Sequence, residues 1–385
     1  MAHCVTRNNK LIFLIIAAMG AGNIAFGMMT QLVPLAMNAE GDSKFLIGGN
    51  VMAGQAGVML AGFGLVRLRQ YYNSHSLVMA SVVLALVAYV GFATTSPLYL
   101  WFLFRFLVGI AGAVIYTTGE SWLQANSDNH SRGRVMGIYM TSQTISFALG
   151  PFFIIPFTGV TGWLPWSVCF LPVLVSLLLE SRVKIEEVAT GQKPAALWPI
   201  LTGAKFVFTC VGVVTLFEAF MLTFFSLFAK EHGYTDGSAS QLLSFGIAMP
   251  MVLFFPIGWL ADHWSRRGTL LCCALISLIC ALLMGWVIDG WAVWLVIVIM
   301  RGCAFGVYLV GYALLGERYK GTDMVAAASV NSLLWGMSGV IGPPLAGLAF
   351  DKFGLGLLPY FMAACFIPVL LGLGVSAARK PSTIT

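Results

Sequence analysis

The chain has 385 residues, of which 59% are hydrophobic and only 9% charged, where a soluble domain carries about 25% charged residues. That balance excludes an ordinary soluble core and makes lipid the solvent. A formal net charge of +6 would suit a nucleic-acid binder, but the placement of the basic residues excludes that reading.

A helix needs about 20 apolar residues to cross the hydrocarbon of a bilayer. Twelve such runs occur. Spans 1 to 6 are predicted at 11–37, 45–66, 77–95, 98–120, 134–156 and 163–180. Spans 7 to 12 are predicted at 204–229, 239–261, 269–288, 291–315, 324–349 and 355–378. The first run is too long for a signal-peptide core, and no A-x-A-like site precedes a soluble region, so it reads as a spanning helix. The one long polar stretch, Glu180 to Pro199, carries Arg182, Lys184, Glu186, Glu187 and Lys193. It divides the chain into a six-helix half (1–182), a cytoplasmic linker (183–200) and a second six-helix half (201–385). The predicted fold class is therefore all-α and polytopic.

With the N-terminus inside, sixteen of the 21 Lys and Arg residues fall in cytoplasmic segments. Three, Lys44, Lys230 and Lys352, fall outside, and Arg105 and Arg301 lie within helices. This bias places both termini in the cytoplasm of a cell whose inner (cytoplasmic) membrane holds the chain. It also accounts for the net charge without nucleic acid.

The halves repeat. Gly62 and Gly258 lie 196 residues apart, each before a basic loop; Arg105 and Arg301 are also 196 apart, and Glu120 and Glu317 are 197 apart. In span 5, Tyr139, Gln143, Ser146 and Gly150 fall on one helical face at i, i+4, i+7 and i+11. Asn331, Trp335, Ser338 and Gly342 repeat that spacing in span 11, 192 residues later. Both halves start inside and hold six spans, so they are parallel repeats.

The segment from Gly258 through Asp262, Arg266 and Arg267 to Gly268 resembles the signature loop of the major facilitator superfamily. Its first-half counterpart, Gly62 to Arg69, keeps the basic residues and lacks the aspartate. Arg105-Phe-Leu-Val-Gly109 resembles the family's span-4 motif. Leu149-Gly150-Pro151 is similar to an antiporter motif, without its later glycine, and Ile341-Gly342-Pro343-Pro344-Leu-Ala-Gly347 is the fuller version. The stretch Arg105 to Leu123 is most similar to the YcaD-like branch. The resemblance covers essentially the whole chain. It implies a major facilitator fold, alternating access, a monomer, and a central cavity lined by spans 1, 4, 7 and 10. It also implies small-molecule cargo moved against protons, with export suggested by the antiporter-like motifs. Uptake and lipid movement are the alternatives.

Ionisable groups inside a membrane are costly and mark function by default. Glu218, in the middle of span 7 with no basic residue near it in sequence, is the candidate proton-coupling group; the plainer reading is a carboxyl bonded to a neighbouring helix. Arg105 and Arg301 could hold an anionic substrate, pair with Glu218, or snorkel to the headgroups. For Arg105 the resemblance implies a role in proton transfer or gating. Glu120 and Glu317 close spans 4 and 10. The family pattern implies that they pair with the basic loops, Glu317 with Asp262 and Arg266, beside Arg267, in a gating network. Asn23 and Gln31 in span 1, Gln143 in span 5 and Asn331 in span 11 either line the cavity or bond between helices. Tyr308 and Tyr312 in span 10 either line an apolar pocket or pack.

Other classes fit poorly. The five histidines, His3, His75, His130, His232 and His263, lie in termini or loops, so no hydrolytic dyad or zinc motif forms inside a helix. No P-loop sequence occurs. The eight cysteines lack metal-ligand spacing. No cofactor or resident metal is expected, and a receptor or intramembrane enzyme is the minor reading.

Overall fold

The computed structural model describes residues 2–69, 71–95, 98–127, 132–157, 163–183, 197–319 and 322–378. Among them, all regular structure is helical. Among the described residues, eleven helices are long and apolar enough to cross a membrane, and Leu164–Glu180 is a shorter apolar helix in the place expected for span 6. The predicted spans correspond to Ala2–Ala39, Lys44–Leu68, Ser74–Thr94, Leu98–Ala125, Arg132–Phe153 and Leu164–Glu180. They continue as Lys205–Glu231, Asp236–Ala248 with Met251–His263, Arg266–Val287, Ala292–Arg318 and Thr322–Phe353. Span 12 is built from Leu355–Leu357, Leu358–Ala364 and Ile367–Ala378.

Local chemistry starts and stops these helices. Ser43, Asn73 and Ser265 cap spans 2, 3 and 9, each accepting a hydrogen bond from a backbone N–H three residues on. Gly41 and Gly233, 192 residues apart, both adopt φ of +85° just beyond spans 1 and 7. Only glycine takes that conformation without strain, so the same left-handed stop occurs at the same place in both halves. Span 8 breaks at Met249 and Pro250, because proline cannot donate to the preceding turn.

The chain forms two compact units: residues 1–191 with 234–244, and residues 192–233 with 245–385. The first turns of span 8 thus group with the first unit. In the first, span 4 packs on 2 and 3, span 1 on 5 and 6, and span 3 on 6. In the second, span 10 packs on 8 and 9, span 7 on 11 and 12, and span 9 on 12. The neighbour relations of one unit are those of the other shifted by six spans, which is the structural form of the repeat.

Small residues set the tightest crossings. A Cβ on Gly109 of span 4 would run into the Gly54 backbone of span 2, and one on Gly150 of span 5 into Gly27 and Met28 of span 1. Lipid gives helices little hydrophobic reason to associate, so close backbone approach and van der Waals contact hold them. Large apolar side chains face outward: Phe13, Phe255, Trp286 and Leu371 are each more than 60% exposed. A soluble protein avoids such a surface; a bilayer requires it.

Candidate functional site

Span 7 carries Glu218 and span 10 carries Arg301, and the second unit packs these helices together. Their side chains form a bidentate ion pair. Arg301 Nε donates to Glu218 Oε1 at 3.0 Å, and Nη2 to Oε2 at 2.5 Å. Each side chain is 3% exposed. Two parallel N–H···O bonds fix angle as well as distance. Of the alternatives open to Arg301, the structure selects the one that neutralises Glu218. The guanidinium also lies 5.9 Å from the Phe305 ring centroid. Its Nη1 is buried and has no hydrogen-bond partner among the described residues, so one donor remains for a ligand.

Thr215, one turn before Glu218, shares a 2.7 Å hydrogen bond with Ser338 of span 11. Asn331, two turns before Ser338, keeps an unpartnered Oδ1 among the described residues. Tyr308 and Tyr312 of span 10 stack at 5.7 Å with their planes 14° apart, and Trp335 meets Tyr308 edge-on at 6.4 Å. Span 10 and span 11 thereby assemble an aromatic wall with an orphaned amide oxygen.

The first unit repeats this scheme with different chemistry. Arg105 of span 4 is 5% exposed and lies 5.9 Å from the Phe26 ring centroid of span 1. No carboxylate bonds it among the described residues. Asn23 Nδ2 donates to the Gln143 carbonyl at 2.7 Å, and Asn23 Oδ1 accepts from the Tyr116 hydroxyl. Spans 1, 4 and 5 are thus tied through one amide. The Gln143 side chain has neither amide atom bonded among the described residues. Gln31 Nε2 donates to Ser240 Oγ at 3.0 Å. Asn23 and Gln31 therefore act as interhelical links, whereas Gln143 offers its amide.

At the predicted cytoplasmic ends, Glu120 accepts a 3.1 Å hydrogen bond from Tyr139 of span 5. Arg69 donates to Thr118 Oγ1 at 2.9 Å, so the basic loop that lacks an aspartate docks on span 4 through a hydroxyl. In the second unit Asp262 pairs with Arg266 at 3.7 Å, one turn apart; Arg267 is exposed. The side chain of Glu317 lies outside the described residues.

Tyr116 and Thr215 were not singled out in the sequence. A usable signal exists for Tyr116: Arg105, Gly109, Gly112 and Tyr116 fall at i, i+4, i+7 and i+11, on one helical face. None exists for Thr215, whose hydroxyl matters only because span 11 brings Ser338 to it.

Known proteins share this architecture. The crystal structure of a bacterial homolog of the human lysosomal transporter Spinster, inward-facing and unoccupied, superposes with a TM-score of 0.75 at 14% identity, covering 96% of this chain and 95% of that one. The nucleoside transporter NupG superposes with a TM-score of 0.76 at 12% identity, covering 96% and 100%. These likenesses show the fold alone. Among curated proteins, the uncharacterized MFS-type transporter YfkF of Bacillus subtilis is 25% identical, covering 94% of each chain. The uncharacterized MFS-type transporter YcaD of Salmonella heidelberg is 22% identical over the same shares. The family model of the Major Facilitator Superfamily matches residues 12–308 and 207–383. With two six-span repeats, a buried ion pair between spans 7 and 10 and that match across nearly its whole length, this chain belongs to the Major Facilitator Superfamily of transporters.

Proposed function

We propose that the protein is a proton-coupled secondary transporter that exports a small organic molecule across the cytoplasmic membrane by alternating access, both termini lying inside. The observation that carries this reading is the Glu218–Arg301 pair. Protonating Glu218 removes one charge and leaves Arg301 as an uncompensated buried cation, which costs about 3–5 kcal/mol. An anionic group on the cargo, or a rearrangement of spans 7 and 10, relieves that cost. Releasing the proton restores the bidentate pair and expels the anion. An anion loaded in this way travels with the proton, so antiport at this pair requires a cargo that competes with the proton for the Glu218 carboxylate, such as one bearing a cationic group.

Arg301 Nη1, Asn331 and the Tyr308–Tyr312 stack are the proposed cargo contacts in the second unit, with Gln143 in the first. Arg105 is assigned to the coupling machinery through its motif. The Asp262–Arg266 pair, with Arg267 and the ends of spans 4 and 10 at Glu120 and Glu317, is the proposed gate. The antiporter-like Gly-Pro motifs of spans 5 and 11 favour export.

The test is an untargeted comparison of spent medium from native-host strains. One lacks the gene, one overproduces the protein and one overproduces Glu218→Gln. Export predicts a metabolite that disappears from the medium without the gene and accumulates only with the unaltered protein. A metabolite left unconsumed without the gene establishes uptake and overturns the direction. Full accumulation with Glu218→Gln removes Glu218 from the coupling.

A further inference from the structure

Spans 4 and 7 each carry a carboxylate, and the fold treats the two differently. Glu218 is held at two points by Arg301 and is 3% exposed. Glu120 has a neutral partner: its Oε1 accepts from the Tyr139 hydroxyl at 3.1 Å. No basic side chain bonds it among the described residues. Arg69, from the basic loop after span 2, donates instead to Thr118 Oγ1. Glu120 is partly exposed, and its Oε2 is neither bonded nor buried among the described residues. It is a carboxylate without a counter-ion, in a setting less polar than water, where its pull on a cation is stronger.

Two rungs join spans 4 and 5 around it. The first is the Glu120–Tyr139 bond. In the second, Tyr116 donates to Asn23 Oδ1 and Asn23 Nδ2 donates to the Gln143 carbonyl at 2.7 Å. Tyr116 lies one turn before Glu120, and Gln143 one turn after Tyr139, so the rungs stand about 5.4 Å apart along the helices. Both tyrosines are within range of the Glu120 charge. Asn23 is satisfied at both ends of its amide. The Gln143 side chain is not: its Oε1 and Nε2 are buried and unbonded among the described residues. A buried amide in that state has lost the hydrogen bonds of water, so a ligand that restores them is favoured. The second unit does not repeat the arrangement. At the repeat interval of 192 residues Gln143 corresponds to Trp335, whose ring packs on Tyr308.

The donor set selects the ligand. A hard metal ion asks for six or more oxygens, and no group of three or more His, Cys, Asp or Glu suited to a metal occurs among the described residues. A protonated amine asks for less: one carboxylate, one further acceptor and an aromatic neighbour. We propose that the two rungs form the docking subsite for a protonated amine on the cargo, its N–H groups donating to Glu120 Oε2 and Gln143 Oε1 beside the Tyr116 ring. The proposal rests on the transport reading above and names its cargo class, an amine-bearing small molecule. The subsite lies at the predicted cytoplasmic end of span 4, where an exported molecule enters. The amine supplies Glu120 with the cation that the basic loop does not.

The test uses the full chain in lipid nanodiscs at constant ionic strength and neutral pH. Benzylamine is the probe; benzyl alcohol and phenylacetate are its neutral and anionic counterparts. Benzylamine should raise Tm saturably by about 2 °C or more, through preferential binding to the folded state, and the other two should not. Glu120→Gln, which keeps an acceptor for Tyr139, should abolish the rise. Glu120→Asp should retain part of it. Gln143→Leu should lower the apparent affinity several-fold, and Glu218→Gln should leave the rise over its own Tm unchanged. If Glu120→Gln does not fold, Gln143→Leu decides: unaltered affinity there overturns the proposal. Equal shifts with benzylamine and benzyl alcohol overturn it, as does a full response in Glu120→Gln. A response lost in Glu218→Gln and kept in Glu120→Gln moves the amine to Glu218 and also overturns it. The spent-medium comparison judges the transport reading separately. An exported metabolite without an amine sinks this inference and leaves export standing. An intact benzylamine response with no exported metabolite keeps the subsite and removes export.

Discussion

Replacing one member of the Glu218–Arg301 pair should be far more damaging than replacing both. At an effective dielectric of about 20, unit charges about 3 Å apart attract by roughly 5 kcal/mol. The observed contacts are 3.0 and 2.5 Å with both side chains 3% exposed, so water does little to screen them. Glu218→Leu or Arg301→Met alone leaves a bare buried charge and should destabilise by about 3–5 kcal/mol. The double variant removes both charges, replaces them with apolar side chains and should recover most of that loss. The coupling energy of the double-mutant cycle should therefore be about 3 kcal/mol or more in magnitude. Thermal unfolding of the four proteins in one detergent measures it. Each single variant should fall by at least about 6 °C, and the double should return to within a few degrees of the parent. Vesicle transport assays add the functional side: all three variants should lose proton-driven uphill movement, including the stable double. Single variants within experimental error of the parent, or a double whose loss is the sum of the singles, would falsify the charge-balance reasoning.

Three further outcomes are expected. Gly109→Val should abolish accumulation of folded protein, seen as loss of the monodisperse peak on size exclusion, because its Cβ overlaps the Gly54 backbone and overpacking costs at least about 1–3 kcal/mol; normal yield would remove that crossing as a constraint. Asp262→Asn should slow interconversion of the two access states, followed by distance-sensitive labels, while leaving cargo affinity unchanged; unaltered rates would end the latch reading of the Asp262–Arg266 pair. Asp42, in the connection after span 1, has its carboxyl raised above the usual range by burial and by the neighbouring Glu40. The folded state then holds this proton more tightly than the unfolded state, so stability falls as pH rises from the unfolded value through the folded one. Asp42→Asn should flatten that part of the Tm–pH curve and leave Tm at neutral pH equal or higher; a lower neutral Tm would contradict it.

Much of the architecture is written in the order of residues. Twelve apolar runs, the basic bias on one side and landmarks recurring at 192 and 196 residues follow from the period of a helix, the thickness of a bilayer and the cost of moving charge across it. These are local or one-dimensional properties, so they survive without coordinates. Glu218, Arg105 and Arg301 were likewise legible as candidates, because an ionisable residue inside an apolar run violates the pattern around it.

The partnerships were not legible. Sequence offers Arg105 and Arg301 as equivalents, either of which could pair with Glu218. Tertiary packing gives Glu218 to Arg301 in a two-pronged bond and gives Arg105 the face of Phe26. It also divides the polar residues by task, tying Asn23 to Gln143 and Tyr116 while leaving the Gln143 amide unbonded among the described residues. These outcomes depend on the rotation of one helix against another. Two residues 83 positions apart meet or miss according to a few tens of degrees about a helix axis, a quantity the hydrophobic pattern of a lipid-facing helix constrains weakly because apolar side chains cover every face. Glycine crossings such as Gly54 on Gly109 fix that rotation, and only the folded packing shows which glycines meet.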